Sequence, residues 1–361
     1  MTKIMTVDYY AQNECIGGVQ SLMGQFKDID KDCKNTSFFN AIQTLGIPMV
    51  QPNQLGMYFE FFASQVIQEY IDKYETLFPA DDRVIIKNSI VETMKKHKSP
   101  MISTIWDNNI LGPEALQNHY DPITFRRFRY GFTHMQKNTF EKSAAIVANS
   151  NHVKDCYDKE FGINSTVIES CVDTEVFKPL KNKDELREKY KIPKDKPVCI
   201  SSTAMHPIKN FHAISQLIKD FPDVFFLLVF KHPLQNQKIK SKNVKLWFNV
   251  PRDQLVEFYN LADFKILPSL MECDNVSVKE AMASGIPILT SKVGQFWDFW
   301  DDKLGQRVEN PSDYNEIKEK FGLLLKNYKE LNPRSIVCKN WDMNVWKNKW
   351  NDVIKGVLEK S

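Results

Sequence analysis

The feature that most restricts this chain is a regular exchange between two hydrophobic periods. Short apolar and β-branched runs, KIMTVDYY (3–10), RVIIKN (83–88), PMISTIW (100–106), AAIVANS (144–150) and TVIES (166–170), read as strands. A second set follows: PVCISST (197–203), DVFFLLVF (223–230), VKLWFNV (244–250), FKILPS (264–269) and PILTS (287–291). Between them lie segments of helical period at 122–142, 150–161, 252–260 and 313–328. Strands separated by crossovers of this length pair in parallel and need helices on both sheet faces, so the pattern specifies βαβ units and an α/β fold.

A length of 361 residues exceeds one ordinary core and suggests about two domains. The stretch FKPLKNKDELREKYKIPKDKP (177–197) carries three prolines and a dense charge run, and it reads as the linker between them. The expected units are an N-terminal Rossmann-like domain over 1–180, a C-terminal one over 181–338, and a tail over 339–361. In the tail, Trp341, Trp346, Trp350, Ile354 and Val357 recur at spacings of three to five, which gives one apolar helical face that needs a partner surface. We expect it to return to the N-terminal domain.

Composition excludes several functions. Hydrophobic residues make up 42% and charged residues 26%, ordinary for a soluble globular protein, and a net charge of +3 gives no reason to expect nucleic acid as a partner. The seven cysteines are scattered and never closer than fifteen residues, which fits neither a CxxC metal site nor a disulfide framework and points to a reducing, cytoplasmic setting. The N-terminal MTKIMTVDYYAQ lacks a signal-peptide pattern, and no run of eighteen apolar residues occurs. An aromatic segment, GMYFEFFASQVIQEYIDKY, can serve as core, lid or peripheral membrane contact, with core preferred. Arg126, Arg127 and Arg129, interleaved with Phe125, Phe128 and Phe132, read as a solvated basic face over a buried aromatic stripe, with an anionic lipid or phosphorylated acceptor as the alternative.

Open parallel sheets bind ligands where strands hand over to helices. Two such places stand out. Ile16-Gly17-Gly18-Val19-Gln20 follows the first strand, and paired glycines let backbone approach a ligand beside a helix start. SLMECDNVSVKEAMASGIP (269–287) sets Glu272 before a helix and Glu280 within it. Ser277 and Glu280 also fit a capping box, a purely structural reading that leaves Glu272 unexplained.

From residue 144 onward the sequence resembles the group 1 retaining glycosyltransferases of the GT-B fold, in which two Rossmann-like domains face a central cleft. The segments that carry the resemblance are AAIVANSNHVKDCYDKEFGI (144–163), VIESCVDTEVFKPL (167–180), PIKNF (207–211), VPRDQLVEFYNLADFKILPSLMECDNVSVKEAMASGIPILTSKVG (250–294) and Gly17-Gly18. The resemblance implies transfer of a hexose from a nucleoside-diphosphate sugar, UDP- or GDP-linked, to a hydroxyl of a glycan, lipid or other acceptor, with no further cofactor. It implies that Glu280 holds the ribose hydroxyls, Glu272 faces the transferred sugar, and Lys209 neutralises the diphosphate. Gly17, Gly18, Asp274, Asn275 and the amides of Val276 and Ser277 would complete the donor site. Trp106 and Asp107 stand where relatives carry an acceptor-side histidine. No DxD ends a strand, so no metal is expected.

The sequence also departs from the family. Ala204 stands where an arginine usually contacts the diphosphate, leaving His206 and Lys231 as substitutes, and Cys273-Asp274-Asn275 replaces a Gly-Phe-Gly loop. A non-catalytic GT-B protein that binds a nucleotide sugar or a partner subunit is the alternative these departures leave open.

Overall fold

The computed structural model describes residues 3–7, 25–36, 41, 43, 45, 59–78, 82–89, 91–106, 110, 121–203, 206–231, 239 and 241–360. They fall into two compact units, Met1–Glu169 with Trp346–Ser361, and Ser170–Val345.

The first unit holds six parallel strands: β1 (Lys3–Val7), β2 (Lys34–Thr36), β3 (Arg83–Asn88), β4 (Met101–Ile105), β5 (Ala145–Ala148) and β6 (Thr166–Val167), in the order β2-β1-β3-β4-β5-β6. Helix α1 (Phe59–Leu77) buries Ala63, Val66, Ile67, Tyr70 and Ile71 against Met5, Val7 and Ile85. Those five positions follow the helical repeat, so this face of the aromatic segment is core. The segment expected as one helix over 122–142 is α2 (Pro122–Arg126), a π-helical turn (Arg127–Phe132) and α3 (Thr133–Phe140). In the turn, Thr133 Oγ1 donates to Arg129 O at 2.7 Å and Tyr130 O at 3.1 Å. Arg129 is tied to Glu160 of α4 (Asn151–Phe161) at 3.0 Å, which takes it out of any free basic face.

The second unit repeats the plan with β7 (Val198–Thr203), β8 (Phe225–Phe230), β9 (Val244–Phe248), β10 (Phe264–Leu267), β11 (Ile288–Ser291) and β12 (Gly305–Val308), all parallel and ordered β12-β11-β10-β7-β8-β9. Its helices are α5 (Lys183–Lys189), α6 (Phe211–Asp220), α7 (Arg252–Leu261), α8 (Val276–Ala283), α9 (Tyr314–Asn327) and α10 (Arg334–Asn340). All six residues of β8 are buried, as a strand covered on both faces requires.

Two readings of the sequence change here. The stretch read as a linker contains α5, and Leu186, Tyr190 and Ile192 join the core of the second unit. Three apolar residues among many charges suffice because Arg187 is buried with them, bonded to Asp263 at 2.7 Å and to Leu261 O at 2.9 Å. The tryptophan stripe is also divided. The helical repeat breaks between α10 and α11 (Met343–Leu358), and Trp341 packs in the second unit against Phe296 and Phe299, at ring separations of 6.1 and 5.3 Å. Trp346 and Trp350 lie on Phe26 of the first unit, at 5.0 and 4.7 Å. Among the described residues, no helix is long and apolar enough to cross a membrane.

Candidate functional site

Strand order in the second sheet reverses between β7 and β10, and chains leaving the carboxyl ends of two such strands diverge and open a crevice. After β7 comes a single 3-10 turn, Pro207–Lys209; after β10 come Ser269 to Asn275 and then α8. A backbone bond from Leu270 N to Ile208 O, 2.7 Å, ties these connections together. It sets Lys209 beside Glu272, and Lys209 Nζ lies 2.5 Å from Glu272 Oε1. The same oxygen accepts from Ser269 Oγ at 2.7 Å. With its amide nitrogen turned inward, Asn275 donates to Oε1 at 3.3 Å and Oε2 at 3.2 Å. Only 8% of the Glu272 side chain is exposed, against 20% for Lys209. A carboxylate held by a hydroxyl and an amide is thus fixed, while its cation sits on a flexible stem at the edge of the crevice.

The loop carrying Glu272 is braced from β11. Gly294 has φ +57°, and a Cβ there would meet the Cys273 carbonyl oxygen at 2.8 Å, so only glycine lets the two backbones approach this closely. Next to it, Gln295 Oε1 accepts from Asn275 N at 2.9 Å.

Helix α8 begins at Val276 with Asn275 as its N-cap residue and no side-chain cap. Val276 and Ser277 are its first two positions, whose N–H groups have no carbonyl within the helix to receive them. The capping box is absent, because Ser277 lies inside the helix and Glu280 falls beyond the position that reaches back. The Glu280 carboxylate faces Tyr259 instead, whose hydroxyl donates to Oε2 at 3.4 Å. Loss of hydration pushes its pKa up to about 7, opposed by the charges of Arg252 and Lys265 and by the Tyr259 bond.

Not every expected donor residue belongs here. Asp274 is 2% exposed in its side chain and forms an ion pair with Lys279 at 2.6 Å. Its other oxygen accepts from Ser170 N. The carboxylate therefore anchors α8 to the chain at Ser170, and side-chain bonds from Asp274 to a sugar are ruled out by its orientation and burial. His206 is a poor replacement for the missing arginine. Its Nδ1 accepts from Ile208 N at 3.4 Å, and burial, then Lys209, lowers its pKa, so the ring is held neutral. Trp106 follows β4 in the first unit and is 7% exposed, which leaves little ring for an acceptor. Gly17, Gly18, Asp107 and Ala204 lie outside the described residues. Sequence reasoning missed Ser269, Gly294, Gln295 and Tyr259; of these only Ser269, three residues before Glu272, had a local signal.

Elsewhere, Asp72, Glu75 and His97 of the first unit gather potential ligand atoms within 4.8 Å of one another. Their carboxylates are already engaged: Lys95 pairs with Asp72 at 2.6 Å, and Glu75 accepts from the amides of Lys98 and Ser99 at 3.1 and 2.8 Å.

Two six-stranded parallel sheets, the second with a carboxylate, a lysine and a helix start at its switch point, define a GT-B protein. Residues 182–336, all within the second unit, match the sequence model of the family "Glycosyl transferases group 1". No curated protein matches by sequence. Among solved structures, sucrose-phosphate synthase from Thermosynechococcus elongatus is similar with a TM-score of 0.81 at 14% identity, over 100% of both chains. Anabaena HepE in complex with UDP-glucose gives 0.72 at 16% identity, over 99% of this chain and 100% of that one. WaaG, a glycosyltransferase involved in lipopolysaccharide biosynthesis, gives 0.68 at 13%, over 98% and 100%. At these identities the likeness establishes the fold.

Proposed function

We propose that this protein is a retaining glycosyltransferase that moves a hexose from a nucleoside-diphosphate sugar to a hydroxyl of a glycan or lipid-linked acceptor. The second unit binds the donor and the first unit receives the acceptor. The observation that carries this reading is the meeting of Lys209 and Glu272, 63 residues apart in sequence, at the switch point where α8 begins. The UDP-glucose complex of HepE makes UDP-sugars the first donors to test, with GDP-sugars next.

Glu280, half-buried on α8, takes the ribose hydroxyls. The amides of Val276 and Ser277, at the positive end of α8, receive phosphate oxygens together with Lys209, which exchanges its bond to Glu272 for one to the diphosphate. Glu272, fixed by Ser269 and Asn275, then faces the sugar. Retention of configuration follows if the departing phosphate accepts the acceptor's proton on the face it leaves, a step for which cationic and dipolar stabilisation of the leaving group is the main requirement.

The test is a panel of UDP-, GDP- and ADP-sugars followed for slow donor hydrolysis, with two variants. Glu280→Gln should weaken free UDP by the worth of a charged hydrogen bond, about 1.5–3 kcal/mol. Glu272→Gln should bind UDP like the parent yet lose hydrolysis or transfer. Parent-like behaviour of both variants would make the carboxylates structural and leave a non-catalytic nucleotide-sugar-binding protein.

A further inference from the structure

Lys265 sits in the middle of β10, a central strand of the second sheet, with 0% exposure. A lysine there is costly, since its amine has left water without a carboxylate within ion-pair distance among the described residues. Burial lowers its pKa from 10.5 to about 7, opposed most by the charge of Glu280, so it carries its positive charge mainly below about pH 7. Its Nζ donates to Ser202 Oγ on β7 and lies 5.2 Å from the centre of the Tyr259 ring. Ser202 Oγ is 2.8 Å from Tyr259 OH, and Tyr259 OH donates to Glu280 Oε2 at 3.4 Å. An ammonium can only donate, so Ser202 accepts from it and is free to donate to Tyr259, which donates to the carboxylate. The donors therefore all run one way, from the buried Lys265 amine on β10 to Glu280.

We infer that Lys265 is a positioning residue for nucleotide binding, which acts through Ser202 and Tyr259 to hold the Glu280 carboxylate ionised and aimed at the ribose. This rests on the ribose role proposed for Glu280. Each hydroxyl in such a chain is polarised by the one before it, so a cation at its start strengthens the last bond. It also opposes the burial that favours the protonated form of Glu280. The other ionisable groups facing the pair are the Cys199 thiol on β7, Lys209 and Glu272 at the switch point, and Arg252 at the start of α7. Of these, only the Lys265 ammonium reaches Glu280 through a continuous line of hydroxyls among the described residues.

The experiment is calorimetric titration of the full chain with UDP across pH 5.5 to 8.5, for the parent, Lys265→Met, Tyr259→Phe and Glu280→Gln, and for the double variant Lys265→Met/Glu280→Gln. Methionine fills the same space without charge, so Lys265→Met should fold, which melting curves check. Lys265→Met and Tyr259→Phe should each weaken UDP at neutral pH by about three- to tenfold, the scale of one hydrogen bond. Both should also move the pH at which affinity is lost on acidification upward, because Glu280 then takes up its proton more readily. In the Glu280→Gln background, Lys265→Met should have no further effect. A structural role would alter melting and leave the pH midpoint in place. If Glu280→Gln weakens UDP while Lys265→Met keeps the parent affinity and midpoint, the inference fails and the ribose role stands. If Glu280→Gln itself binds UDP like the parent, the ribose role fails and takes the inference with it.

Discussion

At the scale of single residues, charge is placed where neighbouring groups decide its use. Lys209 is mostly covered and paired with Glu272, but a fifth of its side chain stays exposed. Lys209→Ala should weaken UDP-sugar binding by roughly ten- to a hundredfold, the loss of a charge-assisted contact of about 1.5–3 kcal/mol. The fold should tolerate it, because Glu272 keeps Ser269 and Asn275 as donors; calorimetry and melting measured on the same samples check both halves. Lys87, in the first unit, serves a different purpose. It is fully buried, donates to Glu92 O at 3.0 Å and Thr93 Oγ1 at 2.8 Å, and burial lowers its pKa from 10.5 to about 7. Between those two values the unfolded chain holds a proton that the folded chain lacks, so this residue makes stability rise with pH over that window. Below about pH 7 both states are protonated and the penalty for burying the cation is at its largest. Lys87→Met should remove a slope of up to about 1.4 kcal/mol per pH unit from the stability measured by denaturant titration between pH 7.5 and 9.5. An unchanged slope would show that Lys87 keeps its proton in the fold.

At the scale of elements, the site depends on how closely connecting loops approach. The Glu272 loop is bonded to the Lys209 turn on one side and pressed by Gly294 on the other. Gly294→Ala puts a side chain into left-handed backbone, at a cost of about 1–2 kcal/mol, and drives its Cβ against a carbonyl that cannot swing away. It should lower stability by at least that much and weaken UDP-sugar binding as the loop shifts. Gly322→Ala, in α9, is the control. Nothing lies within 4 Å of its Cβ and its φ is not positive, so alanine there should be neutral or stabilise by about 0.5–1 kcal/mol. Equal behaviour of the two variants in melting and binding would remove Gly294 from the argument. A second glycine, Gly285, ends α8 at φ +89°, as expected of a C′ residue, with bonds from Gly285 N to Met282 O and from Ile286 N to Ala281 O.

At the scale of the molecule, the chain leaves the first unit at Glu169 and its last residues, from Trp346, count with that unit again. Trp350 is 0% exposed and meets Phe26 edge to face. Trp350→Ala should destabilise the first unit by about 3–5 kcal/mol, the usual cost of deleting a buried tryptophan. Residues 182–336, which carry the family match, should keep their UDP affinity when the variant is assayed well below its melting temperature. Loss of UDP affinity in step with melting would instead mean that the second unit depends on the first.

The sequence by itself determined the α/β class, because the alternation of periods is a local property that only βαβ units satisfy. It also singled out Glu272 and Glu280, since carboxylates around a helix start are legible at short range, whereas Lys209 came only with the resemblance to a known family. It could not show β2, KNT, or β12, GQRV, which are too short and polar to carry a period and are strands only through pairing with β1 and β11. It misjudged α5, whose charges hide three apolar contacts, and Asp274, whose partner Lys279 turns inward only once α8 has packed. It joined Trp341 to a helix face that an interruption of the helix between Asn340 and Met343 divides. Lys265 looked like one polar residue in a strand-like run. That its ammonium is sealed in the sheet and linked to Glu280 depends on β7, α7 and α8 converging from separate parts of the chain, and only the packed structure brings such groups within hydrogen-bond distance.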